Sequence, residues 1–169
     1  MQAEAIFQRI LARVRKAVED YDMIQEGDRI AVGVSGGKDS LTLLYSLRAL
    51  QRFYPKKFEL FAITISLGNE GFDLPALIDA YKSMDIPYHI EDTQIAKIVF
   101  DIRNEKNPCS LCSNMKRGAI HNAAKKLGCN KVAFAHNRDD VIETLLLSLF
   151  YEGRIHTFST VTYLDKTGI

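Results

Sequence analysis

Ile30-Ala31-Val32-Gly33-Val34-Ser35-Gly36-Gly37-Lys38-Asp39-Ser40 joins a strand-like run to a helix-like one through a glycine turn. Ile30–Val34 is short, apolar and β-branched, the pattern of a buried strand. Leu41, Leu44 and Leu47, with Leu43 and Leu50 beside them, follow at helical spacing. Glycines in the turn let the backbone approach a ligand with no Cβ in the way. The N–H groups at a helix start are free and carry partial positive charge, which suits phosphate oxygens. Lys38 adds a full positive charge. Asp39 does not belong in a plain anion site, and it makes sense if the ligand brings Mg²⁺, which takes hard oxygen ligands. Two commoner glycine loops do not fit. Lys38 is followed by Asp39, and Val32 stands where a Walker A glycine should be, while Gly33 and Gly36 are spaced wrongly for a dinucleotide fingerprint.

Ser35-Gly36-Gly37-Lys38-Asp39-Ser40 resembles the SGGxDS loop of the PP-loop ATP pyrophosphatases. That family includes GMP, argininosuccinate and lysidine synthetases and tRNA thiolation enzymes. The resemblance implies a loop that holds the pyrophosphate end of ATP while the α-phosphate is attacked.

At 169 residues, 47% hydrophobic and 25% charged, the chain has the size and composition of one globular domain. No apolar stretch is long enough for a membrane span, and the N-terminus lacks a signal-peptide layout. Three cysteines are too few for a disulfide framework, so a cytoplasmic location is expected. The net charge of +1 divides into −2 for residues 1–99 (12 basic, 14 acidic) and +3 for residues 100–169 (10 basic, 7 acidic). That tilt is weak support for a polyanion partner near the second part.

The periodicity predicts a helix over 4–21, with Ile6, Ile10, Val14 and Val18 on one face. Further strands are expected at Phe58–Leu67, Ile86–Ile90 and Lys131–His136. Helices are expected after the caps Asp73 and Asn137, over Ser110–Leu127, and in a short piece within 93–102. Gly68–Gly71 reads as a chain break, Asn104–Pro108 as exposed loop, Thr157–Leu164 as a strand and Asp165–Gly168 as a turn that cuts off a following strand. Alternating strands and helices give an α/β, doubly wound, mainly parallel sheet with helices on both faces. The expected layout is one PP-loop domain over 1–169, with an N-terminal helix (1–24), a core (29–151) and a shortened C-terminal portion (152–169). Ligands of such sheets sit beyond the carboxyl ends of the strands.

Pro108-Cys109-Ser110-Leu111-Cys112-Ser113 places two cysteines in the first turn of a helix, near Lys116 and Arg117. The helix dipole and these cations favour thiolates. A metal or cluster site, a redox dithiol and two buried cysteines all fit this spacing. Cys129 reads as a small core residue. In His136-Asn137-Arg138-Asp139-Asp140, capping accounts for Asn137 and Asp140 and leaves Asp139, His136 and Arg138 without a role.

Together with Lys116-Arg117-Gly118 and Glu143-Thr144, these motifs resemble the tRNA 2-thiolation branch, and most of all the tRNA 2-thiocytidine synthetases. Lysidine synthetases share only the first and last motifs. The 2-thiouridine enzymes usually carry a cysteine-rich N-terminal module that is not found here. The resemblance implies adenylation of an anticodon-loop cytidine at its C2 oxygen, then displacement of AMP by sulfur to give 2-thiocytidine. It implies ATP, Mg²⁺, a four-iron four-sulfur cluster held by three cysteines, tRNA as substrate, a sulfur donor such as a cysteine desulfurase, and a homodimer. Cys109 and Cys112 match the first two cluster ligands, and the third has no counterpart. The chain is therefore expected to lack its C-terminal part or to hold an incomplete cluster.

By the same resemblance, Ser35, Gly36, Gly37 and Ser40 cradle phosphate and Lys38 neutralises it. Asp39 works with Mg²⁺, Ile65 and Ser66 contact adenine through their backbone, Arg117 and Gly118 lie beside the nucleotide, and Asp139 positions metal or substrate. Another PP-loop ATP pyrophosphatase acting on tRNA, of 2-thiouridine or lysidine type, and a nucleotide-binding fragment without activity are the alternatives.

Overall fold

The computed structural model describes residues 2–68, 73–103 and 107–164. Four strands, β1 (Asp28–Gly33), β2 (Phe58–Ser66), β3 (Tyr88–Asp92) and β4 (Lys131–Ala133), form one sheet in the order β3-β2-β1-β4. Every pairing is parallel, with Asp28 opposite Phe58, Ala62 opposite Tyr88 and Ile30 opposite Lys131. Parallel neighbours need crossovers, and helices supply them: α1 (Gln2–Asp20), α2 (Lys38–Leu50), α3 (Leu74–Ser83), α4 (Pro108–Lys126) and α5 (Arg138–Glu152).

Side chains alternate across each strand, so β1 feeds two cores. Ile30 and Val32 pack with Leu11 and Val18 of α1, Leu44 and Leu47 of α2, and Leu77 and Tyr81 of α3. Ala31 faces the other way, with Ile63, Val99, Ile120 and Ala123. Helices therefore cover both faces, as the sequence predicts. Tyr81, fully buried, exchanges a 2.6 Å hydrogen bond with the Thr64 hydroxyl, which also lies 3.1 Å from the Val34 carbonyl. This ties α3 to the end of β1.

Several boundaries move. The third strand starts at Tyr88 because the Ile86 N–H turns back to the Tyr81 carbonyl, with Asp85 at φ 51° closing α3. The fourth stops at Ala133, after which Phe134 and His136 leave the ladder. The short helix expected within 93–102 includes a π-helical stretch, Lys97–Ile102. Thr157–Leu164 is not a strand. It follows α5 instead, where the Ser148 hydroxyl donates to the Arg154 carbonyl and the Thr157 hydroxyl donates to the Val141 carbonyl. Asn69–Gly71, Asn104–Lys106 and the turn from Asp165 lie outside the described residues.

The amino edge of the sheet is fastened by Asp28, which is 3% exposed. Its carboxylate accepts from the Gln25 N–H (2.6 Å), the Asn130 amide (2.8 Å) and the Lys131 ammonium (2.7 Å). Burial alone would raise the Asp28 pKa, but these donors outweigh it and hold it below the ordinary 3.8. A carboxylate depressed in the folded state stabilises fully above its unfolded pKa, and that stability is lost as pH falls through the folded value. Asp28→Asn should therefore cost about 1–3 kcal/mol at neutral pH, since it strips a buried node of its charge-assisted bonds. Urea unfolding at pH 7 and again near pH 3 should show the gap between parent and variant narrowing in acid. An equal gap at both values would show that the carboxylate charge is not what fastens this edge.

Candidate functional site

With all strands parallel, the carboxyl ends Gly33, Ser66, Asp92 and Ala133 share one edge. α4 leads into β4 and must start at that edge, so Cys109 and Cys112 are delivered there too. Between β1 and β4 the strand order reverses, which opens a crevice flanked by the starts of α2 and α5.

In the glycine loop, Gly36 has φ +80°, a conformation side chains rarely adopt. Gly37 caps α2 with no side-chain hydrogen bond, so no side-chain cap occupies the N–H groups of the first turn. Ser40, almost buried, ties the loop to itself. Its hydroxyl donates to the Gly37 carbonyl (2.9 Å), accepts from the Ser35 N–H (3.2 Å) and lies 3.4 Å from the Ser35 hydroxyl. The Lys38 ammonium and Asp39 carboxylate form an exposed ion pair at 2.8 Å. The Lys38 pKa is raised, first by its hydrogen bond to Asp39 and then by the Asp39 charge, with Asp140 adding to it from across the crevice. Asp140 belongs to the helix start after β4.

The α5 start is a capping box. The Asn137 side chain accepts from the N–H groups of Asp139 (2.8 Å) and Asp140 (3.4 Å), and the Asp140 carboxylate accepts from the Asn137 N–H (2.6 Å). Asp140 is thus engaged in folding. Asp139 is left exposed, with the Arg138 guanidinium 3.9 Å away.

Ile65 lies buried at the end of β2, and the neighbouring Ser66 carbonyl already accepts from the Thr93 N–H (3.0 Å) and hydroxyl (2.7 Å). Gly118 sits in α4 where an added Cβ would meet open space, so packing does not require a glycine there. Cys109 is exposed and Cys112 half-buried, with Cys112 against the α4 core beside Leu111 and Met115. Cys129 is buried away from them, and burial pushes its thiol pKa up, as befits a core residue. Among the described residues no group of three or more His, Cys, Asp or Glu side chains forms a metal-binding cluster. Cys109 and Cys112 stand three residues apart at the start of α4, with no third such side chain grouped with them among the described residues.

Sequence reasoning missed a set of aromatic residues here. A Cβ on Gly33 would come within 3.0 Å of the Phe134 ring and 3.2 Å of Ile120, so this glycine lets Phe134 lie over the end of β1. The signal was a glycine inside a strand, which often marks a close approach.

Residues 6–166 match the model of the PP-loop domain. The chain belongs to the PP-loop family. It is 46% identical over 167 residues to the tRNA-cytidine(32) 2-sulfurtransferase of Pelobacter propionicus, covering 98% of this chain and 62% of that protein. It is 43% identical to the protein of the same name from Geobacter sulfurreducens, covering 95% and 63%. The U34-tRNA thiolase NcsA from Methanococcus maripaludis, solved with its [4Fe-4S] cluster, superposes with a TM-score of 0.74 at 26% identity, over 90% of this chain and 52% of that one. The chain thus spans a little under two thirds of the length of these curated relatives.

Gly36→Val should abolish ATP binding, because a β-branched side chain cannot hold φ +80° and would occupy the phosphate approach. Circular dichroism and calorimetric titration check this together. A folded variant with unchanged ATP affinity would remove the loop from nucleotide binding.

Proposed function

We propose that this chain is the ATP-handling part of a tRNA sulfurtransferase that converts an anticodon-loop cytidine to 2-thiocytidine. The observation that carries the reading is the gathering of three elements at one sheet edge: an uncapped glycine loop, an exposed Asp139, and a helix start bearing Cys109 and Cys112. The 46% and 43% identities to cytidine(32) 2-sulfurtransferases, against 26% to the U34-tRNA thiolase, favour cytidine over uridine as the nucleoside.

In this reading the triphosphate of ATP lies on the N–H groups of Gly36, Gly37 and the first turn of α2, with Ser35 and Ser40 shaping the loop. The Lys38–Asp39 pair is exposed and costs little to separate. Separated, Lys38 faces the phosphates and Asp39 becomes a hard oxygen ligand for Mg²⁺. Backbone near Ile65 and Ser66 borders the adenine, with Arg117 and Gly118 beside the nucleotide. The cytidine C2 oxygen attacks the α-phosphorus, a P–O bond breaks, and pyrophosphate leaves. Sulfur then adds at C2 and the C2–O bond breaks, releasing AMP. Asp139 positions the metal or the base. Cys109 and Cys112 supply two thiolates of a four-iron four-sulfur cluster, with the third from the further length that the relatives have. When bound, that cluster presents sulfur to the activated carbon. A cysteine desulfurase, together with a two-electron reductant that brings its persulfide sulfur to the sulfide level, would be the class of donor. Leu147, Phe150 and Tyr151 on α5, 57–83% exposed, support a homodimer.

Anaerobic incubation of the full-length protein with unmodified tRNA, ATP, Mg²⁺ and sulfide should yield 2-thiocytidine by mass spectrometry of the digested RNA, with one pyrophosphate per thiolation. Cys109→Ala and Cys112→Ala should each lose cluster iron and product, while Cys129→Ala keeps both. Pyrophosphate release without thiolated nucleoside would leave a tRNA ligase of another kind. Loss of iron in Cys129→Ala alone would overturn the ligand assignment. Asp39→Asn should lower Mg²⁺-dependent pyrophosphate release far more than metal-free ATP binding, and an equal fall in both would make Asp39 structural.

A further inference from the structure

Beside the glycine loop, on the β4 side of the crevice, four aromatic rings form a row. His121 of α4 lies edge-on to Phe134 (centroids 5.9 Å apart), Phe134 is 6.1 Å from His136, and His136 is 5.0 Å from Phe158. The row runs from interior to surface. The Nδ1 atom of His121 is buried with no hydrogen-bond partner, and burial, aided by the Arg117 charge, lowers its pKa and keeps the ring neutral. His136 is exposed, and Phe158 is 36% exposed.

Nothing about the cores requires the outer pair. Neither His136 nor Phe158 belongs to either hydrophobic cluster. Both are nevertheless held in place. Phe134 backs His136 from inside and is itself admitted by Gly33. The segment bearing Phe158 is fastened to α5 by the Thr157 hydroxyl on the Val141 carbonyl (3.3 Å). The result is a supported pair of aromatic faces open to solvent, with His136 three residues before the exposed Asp139.

We infer that His136 and Phe158 form the stacking platform for the nucleobase of the RNA substrate. The inference rests on the reading of the chain as a tRNA enzyme. Aromatic and histidine rings are the usual partners of unstacked RNA bases. The side of the crevice also discriminates. Phosphates on the β1 loop with adenine towards β2 leave the β4 side free for the second reactant. A base seated on His136 and Phe158 lies beside the start of α5, which bears the exposed Asp139. The row is apolar and neutral at its inner end, so it selects a flat ring and leaves charge recognition to the flanking cations.

The test uses the full-length protein and an anticodon stem-loop RNA carrying the fluorescent analogue pyrrolo-cytosine at the target cytidine. Stacking should quench the fluorophore on binding. His136→Ala and Phe158→Leu should each weaken RNA binding about 10- to 100-fold and abolish the quench, with ATP affinity within twofold of the parent. His136→Phe and Phe158→Tyr keep the rings and should restore both readouts. Phe158→Leu preserves apolar packing, so its loss reports the ring and not the fold. Full quench and parental affinity in the Ala and Leu variants would overturn the platform and leave the tRNA reading standing. ATP affinity falling in parallel would assign the rings to adenine and overturn it as well. A parent protein that does not bind the stem-loop would defeat the tRNA reading itself, and this inference with it.

Discussion

Parallel pairing on both sides of β1 is the constraint from which the site follows. Because β2 and β4 run in the same direction as β1, each returning segment must cross a face of the sheet. Every strand then ends on the same edge, and every helix after a strand begins there. Residues far apart in sequence, Gly36 after β1, Cys109 at the start of α4 and Asp139 at the start of α5, are thereby delivered to one rim. Asp28 secures the arrangement from the opposite edge. Its carboxylate gathers the Gln25 turn, Asn130 and Lys131, and so fixes the short β4 to β1 where only three residue pairs join them.

The rim holds its acidic residues in two different ways. Asp140 is used by the capping box. Asp39 and Asp139 are left exposed beside cations that hold them loosely. An exposed ion pair contributes little to stability, so each pair can be separated at small cost. The same economy holds for the cysteines. Cys129 is buried with its thiol pKa raised, while Cys109 and Cys112 remain accessible at a helix start.

α5 stands apart from the two cores, with Ser148 its only buried residue. Its contacts among the described residues include the 154–158 segment that folds back along it. That segment carries Phe158 to His136, which makes the aromatic row a product of chain return rather than of local sequence.

Much of this was legible in the chain itself. The strand–glycine–helix order around Ser35–Ser40, the caps Asp73 and Asn137, and the core role of Cys129 follow from local rules: backbone freedom at glycine, side-chain acceptors for free N–H groups, and apolar periodicity. The strand pattern also gave the parallel sheet, because alternation with helices admits little else. What local rules could not supply was the extent of pairing. Thr157–Leu164 has the β-branched composition of a strand but joins no ladder, and Phe134–His136 lie beyond the one that Lys131–Ala133 join. Composition reports willingness to form a strand, whereas a strand exists only where a partner edge is in register. Only the folded chain, likewise, decided that Gly33 is needed for Phe134 and that Phe158 meets His136. These are contacts between distant segments, set by packing rather than by sequence spacing.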